Sequence, residues 1–84
     1  SYEDECANAF DTFIKEHEDW NADQVLFVRT VKNTIAQKGK MEMSDLYEAP
    51  FDRIGTPNKL FEDDDVEDII MVCKTLEKRH DAIS

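Results

Sequence analysis

Three stretches of the chain place apolar side chains at the i, i+3, i+4, i+7 spacing of a helix face, and none sustains the period-two alternation of a strand. In the first, Cys6, Phe10, Phe13, Ile14 and His17 form one stripe, which predicts a helix over residues 3–19 with that face inward. Trp20 follows as a core side chain packing in staple fashion beside the next helix start. Asn21 with Gln24 three residues on reads as a capping box, and Asp23 suits the positive end of a helix dipole. A second helix is therefore expected over residues 22–38, with Val28, Val31 and Ile35 as its inward face, Gln24 at the start of that face and Phe27 beside it. Gly39 supplies the left-handed residue that commonly closes a helix, and Lys38 suits its negative end.

The middle of the chain carries start and stop signals at short spacing. Ser44 is placed as the cap of a short helix over residues 45–49, which Pro50 ends because the residue before a proline avoids helical geometry. Thr56-Pro57 is a second start signal, and its turn of helix is expected to carry Leu60 and Phe61 inward. The last helix opens after Glu62-Asp63-Asp64-Asp65 and points Val66, Ile69, Ile70, Cys73 and Leu76 inward, with Lys78, Arg79 and His80 near its end. Ile70→Asp is accordingly expected to unfold the chain. The fold class that follows is all-α, with three main helices and one or two short helices in the middle. At 84 residues this is a single helical domain, 1–84, hiding about 60–65% of its unfolded surface.

Composition sharpens that picture. Apolar residues make up 40% of the chain and include five Phe, one Trp and two Tyr, enough for a core and too many for a disordered acidic tail. No run approaches the ~20 apolar residues of a membrane span, and no basic-then-apolar start suggests a leader. Two cysteines near opposite ends do not make a disulfide framework. No membrane partner and a cytoplasmic location are expected. The chain begins at Ser1-Tyr2-Glu3, without Met and directly in a helical pattern, and so reads as a piece of a larger protein.

Net charge is −10, unevenly spread: −7 over residues 1–24, +2 over residues 25–60 and −5 over residues 61–84. Tight binding to duplex DNA needs a basic footprint, and a weakly positive waist between two acidic ends is a poor one. The waist cations Arg29, Lys32, Arg53 and Lys59 read as solvated or paired in isolation, and as a possible partner contact within a larger complex.

Candidate chemistry is sparse. Cys6, His17, Cys73 and His80 lack the short paired spacings of a structural zinc site, and both cysteines fall on apolar faces as core thiols. The acids from Glu62 to Asp68 lack the central glycine of a calcium loop and read as a solvated helix start. Glu16-His17-Glu18-Asp19 occupies consecutive helical positions that point apart, not at one substrate atom. No catalytic, cofactor-binding or metal-ligating residue is assigned. Leu46, Tyr47, Pro50 and Phe51 are read as a packing motif that locks the mid-chain crossover onto the helices, with a partner anchor as the competing role.

One segment has a distinctive order: Asp45-Leu46-Tyr47-Glu48-Ala49-Pro50-Phe51, with Gly55 shortly after. Together with Ala22-Asp23-Gln24-Val25-Leu26-Phe27-Val28-Arg29, Gly39-Lys40-Met41 and Leu60-Phe61, it resembles the C-terminal domain of type I restriction enzyme R subunits across most of the chain. The resemblance implies a helical module of an ATP-dependent DNA translocase and endonuclease. In that family this region is associated with docking the motor onto the methyltransferase core of M and S subunits. ATP, Mg²⁺ and DNA contact would belong to other parts of such a parent. The only glycines here are Gly39 and Gly55, so the G-x-x-x-x-G-K-[ST] phosphate loop is missing from this stretch and no cofactor is expected on it. The competing function is a free-standing acidic protein-binding regulator that imitates DNA, for which the net charge argues and the positive waist does not. A small metal-dependent enzyme is a third class and lacks a constellation.

Overall fold

The computed structural model describes residues 1–42 and 59–84, and these contain three α-helices and no strand: α1 (Tyr2–Lys15), α2 (Ala22–Lys38) and α3 (Asp63–Ile83). The short helix expected over residues 45–49, the Thr56-Pro57 start, the Leu46, Tyr47, Pro50 and Phe51 motif and Arg53 lie outside the described residues.

Two of the helices, α1 and α2, begin where a side chain satisfies free N–H groups, and α3 opens on Glu62 without a side-chain cap. The Ser1 hydroxyl accepts from the Asp4 N–H at 3.3 Å, with Glu3, Asp4 and Glu5 in the first turn of α1. At α2 the capping box is complete. Asn21 Oδ1 accepts from the Gln24 N–H at 2.9 Å, and Gln24 Oε1 accepts from the Asn21 N–H at 2.8 Å. The Gln24 amide is used twice, since its Nε2 donates to the Leu60 carbonyl at 2.9 Å and ties the start of α2 to the segment leading into α3. Gly39 closes α2 with φ +76°, its N–H donating to the Ile35 carbonyl at 2.8 Å.

Three expectations are corrected. α1 ends at Lys15 rather than running to Asp19. From there the chain tightens into i→i−3 turns, His17 N–H to Ile14 O at 3.0 Å and Trp20 N–H to His17 O at 3.1 Å. Glu16, Glu18 and Asp19 would have lain at the negative end of the helix dipole, where acids are disfavoured. Leu60 and Phe61 are not carried by a turn of helix. Glu62 is extended (φ −71°, ψ 159°) and caps α3, so the acids Asp63, Asp64 and Asp65 form the first turn of that helix instead of preceding it. Finally, Ile14, His17, Val66 and Ile70 are half-buried at the edges of their stripes, and the wholly buried position on α3 is Ile69.

The core is aromatic along its length. Phe10, Phe13, Trp20, Phe61 and Phe27 form a chain of edge-to-face contacts with centroid separations of 6.5, 5.3, 5.4 and 5.9 Å in that order. Cys6, Val28, Val31, Ile35, Ile69, Cys73 and Leu76 complete it, and no charged or polar side chain is buried among the described residues. α1 and α2 pack on each other more extensively than either packs on α3. At the opposite end from Trp20, Tyr2 donates its hydroxyl to the Leu76 carbonyl at 2.9 Å and packs against His80, ring centroids 5.0 Å apart. That imidazole covers Gly39 so closely that a Cβ there would come within 2.5 Å of it.

Candidate protein-docking site

Because α3 packs less extensively on α1 than α2 does, a depression of about 420 Å³ remains between α1 and α3. Its floor is apolar: Ala9 and Phe13 from α1, Val72 and Leu76 from α3. Met71 stands on its wall with 65% of its surface in water, and Leu26 and Ile83 are the other exposed large apolar side chains among the described residues. An unbranched thioether in that position can reshape to fit an incoming side chain. Glu16, His17 and Asp68 form the acidic end of the same depression.

That end is built by the turn that follows α1. His17 stacks flat on Trp20, centroids 4.0 Å apart and planes within 6°, while Phe13 meets the imidazole edge-on at 5.0 Å. Asp65, in the first turn of α3, accepts from the Trp20 indole N–H through Oδ2 at 3.4 Å and places Oδ1 3.7 Å from His17 Nδ1. The residues weighed as an acid–base cluster therefore separate: His17 turns toward the core while Glu16, Glu18 and Asp19 face water.

The waist cations among the described residues, Arg29, Lys32 and Lys59, do not gather at this depression. Arg29 is exposed on α2. Lys32 lines a shallow groove between α1 and α2 with Glu3 and Asp4, and Lys59 pairs with Glu62 at 3.0 Å. The two cysteines are core thiols. Burial pushes Cys73 up to about 12, with Glu77 and Cys6 adding to it, and burial likewise raises Cys6. Neither is a reactive nucleophile at neutral pH. The depression itself escapes sequence reasoning, since Met71 falls outside the apolar stripe of its helix and only the packing of α3 shows what lies beside it.

Such a structure defines a class: a small all-helical domain with an aromatic core and an open apolar groove rimmed by acids. Its family follows from comparison with known proteins. The family model described as EcoEI R protein C-terminal matches residues 1–77, and the chain belongs to that family, the C-terminal domain of type I restriction enzyme R subunits. No curated protein and no solved structure matches the chain.

Proposed function

We propose that this domain docks the R subunit, an ATP- and Mg²⁺-dependent DNA translocase and endonuclease acting in the cytoplasm, onto the methyltransferase core of M and S subunits. The observation that supports the reading is the α1–α3 depression, an apolar floor with an exposed methionine on a domain from the C-terminal family of R subunits. Exposed apolar surface rimmed by polar groups is the usual form of a protein contact. Its acidic rim and the net charge of −10 suit a partner surface that presents an apolar anchor among basic side chains. On this reading the nucleotide and the metal ion of the motor are held by other domains of the R subunit, and DNA is contacted there.

The test is assembly of an R subunit lacking this domain with the methyltransferase core, followed by sedimentation. ATP hydrolysis by the remaining motor is expected to persist while assembly weakens, because a domain with its own core can be removed without dismantling its neighbours. Full-affinity, restriction-competent assembly of the truncated protein ends the proposal.

A further inference from the structure

We infer that His17, Asp65 and Asp68 form a binding site for one divalent transition-metal ion of the zinc type, at the acidic mouth of the α1–α3 depression. One ligand atom from each of these three side chains lies within 4.8 Å of the others, although His17 is separated from the two aspartates by most of the chain. An imidazole with two carboxylates is a donor set that suits zinc, and three protein ligands leave a position for water.

The geometry accommodates a metal ion as well as an ion pair. His17 Nδ1 and Asp65 Oδ1 are 3.7 Å apart, too far for a hydrogen bond and close to the roughly 3.3 Å between two ligands of a tetrahedral zinc with ~2.0 Å bonds. The imidazole is already oriented, held between the Trp20 face and the Phe13 edge. Asp65 is steadied from outside the triad by the Trp20 indole N–H, the kind of outer contact that aims a ligating carboxylate. Asp68 lies one turn further along α3 and is exposed, so its side chain can close the remaining distance without moving backbone. The dipole at the start of α3 opposes a cation with about half a charge, but Glu62, Asp63, Asp64 and Glu67 flank the two ligating aspartates, and the sum favours one. The fold does not depend on the ion, since the aromatic core is complete without it.

Spacing alone hides this site. The histidine follows the first helix, the aspartates open the last one, and neither element carries a ligand pair of the kind that marks a zinc motif.

Titration of metal-free full chain with zinc chloride in a calorimeter tests the inference, with NMR of the imidazole resonances as the local readout. One saturable equivalent is expected, shifting His17 and leaving His80 in place. Asp68→Asn, at an exposed position, should weaken the site at least about tenfold, or ~1.4 kcal/mol. His17→Gln should abolish it, and circular dichroism establishes whether that variant keeps its fold. Absence of saturable binding would leave His17 and Asp65 as an ion pair only and overturn the proposal. Equal affinity in Asp68→Asn, or a response at His80 or the cysteines, overturns it as well.

Discussion

Phe61 loses nearly all contact with water because it is wedged between Trp20 and Phe27, joining the turn after α1 to the inner face of α2. Truncation to alanine removes its ring contacts with Trp20 and Phe27. Phe61→Ala should cost about 3–5 kcal/mol, a large share of the roughly 4–13 kcal/mol that holds a domain of 84 residues together. Urea titration measures it, and a change below about 1 kcal/mol would mean that the neighbouring rings close the gap. A charge on α3 is most damaging at Ile69, which is wholly buried, so Ile69→Asp should unfold the domain where Ile70→Asp leaves a folded, weakened one.

Cys73 gives stability a dependence on alkaline pH. Its thiol is raised in the folded chain from the ordinary 9.0 to about 12, chiefly by burial. Below about pH 9 both folded and unfolded chains keep the proton and its contribution is constant. Between about pH 9 and pH 12 the unfolded chain ionises while the folded chain does not, so unfolding gains and stability falls as pH rises. Thermal melts taken from pH 8 upward should show this slope, and Cys73→Ala should flatten it even though the smaller side chain lowers every melting point. An unchanged slope would assign the alkaline loss to other groups.

Among the elements, α2 is the most self-specified. Its cap, its inward residues and its closing glycine are all local features, and the structure realises each of them between Ala22 and Lys38. Asn21→Ala removes the side-chain acceptor of the capping box and should cost about 1 kcal/mol, a shift of several degrees in melting temperature for a domain of this size. The ends of α1 and α3 were less legible. An apolar stripe continues to His17 whether or not the backbone does, and the acids of Asp63–Asp65 satisfy a helix start equally well just before it or just inside it. At the end of α1 the deciding factor is electrostatic placement against the helix dipole, which periodicity does not report, whereas at the start of α3 the dipole does not discriminate between the two placements. By contrast Arg79 and Glu5, paired at 2.8 Å across α3 and α1, are about half exposed, and such a pair contributes little in water.

At the scale of the whole molecule, charge and groove act together in the proposed docking. Met71→Asp should leave the fold intact, because the side chain already faces water, and should weaken assembly of the R subunit with its core by tenfold or more if the depression receives the anchor. Assembly rates should also fall with added salt, as the Debye length shortens from about 10 Å at 0.1 M to about 3 Å at 1 M. Surface-binding measurements at several ionic strengths read both effects. A variant that assembles at the wild-type rate and affinity would move the contact to another face of the domain, with Arg29 and Lys32 on α2 the next residues to alter.

The order and type of the main helices were determined by the sequence itself, because helix caps and a 3.6-residue apolar period act over a few residues and need no knowledge of the rest of the chain. The family was legible too, in a run of residues whose order is more specific than their periodicity. Tertiary structure alone decided that α3 packs less closely on α1 than α2 does, leaving Met71 beside an open apolar floor, and that His17 meets Asp65 and Asp68 across most of the chain's length. Those outcomes depend on the angle and spacing at which three helices settle around one row of aromatic rings. No local pattern encodes that geometry, since it is the joint minimum of side chains distant in sequence.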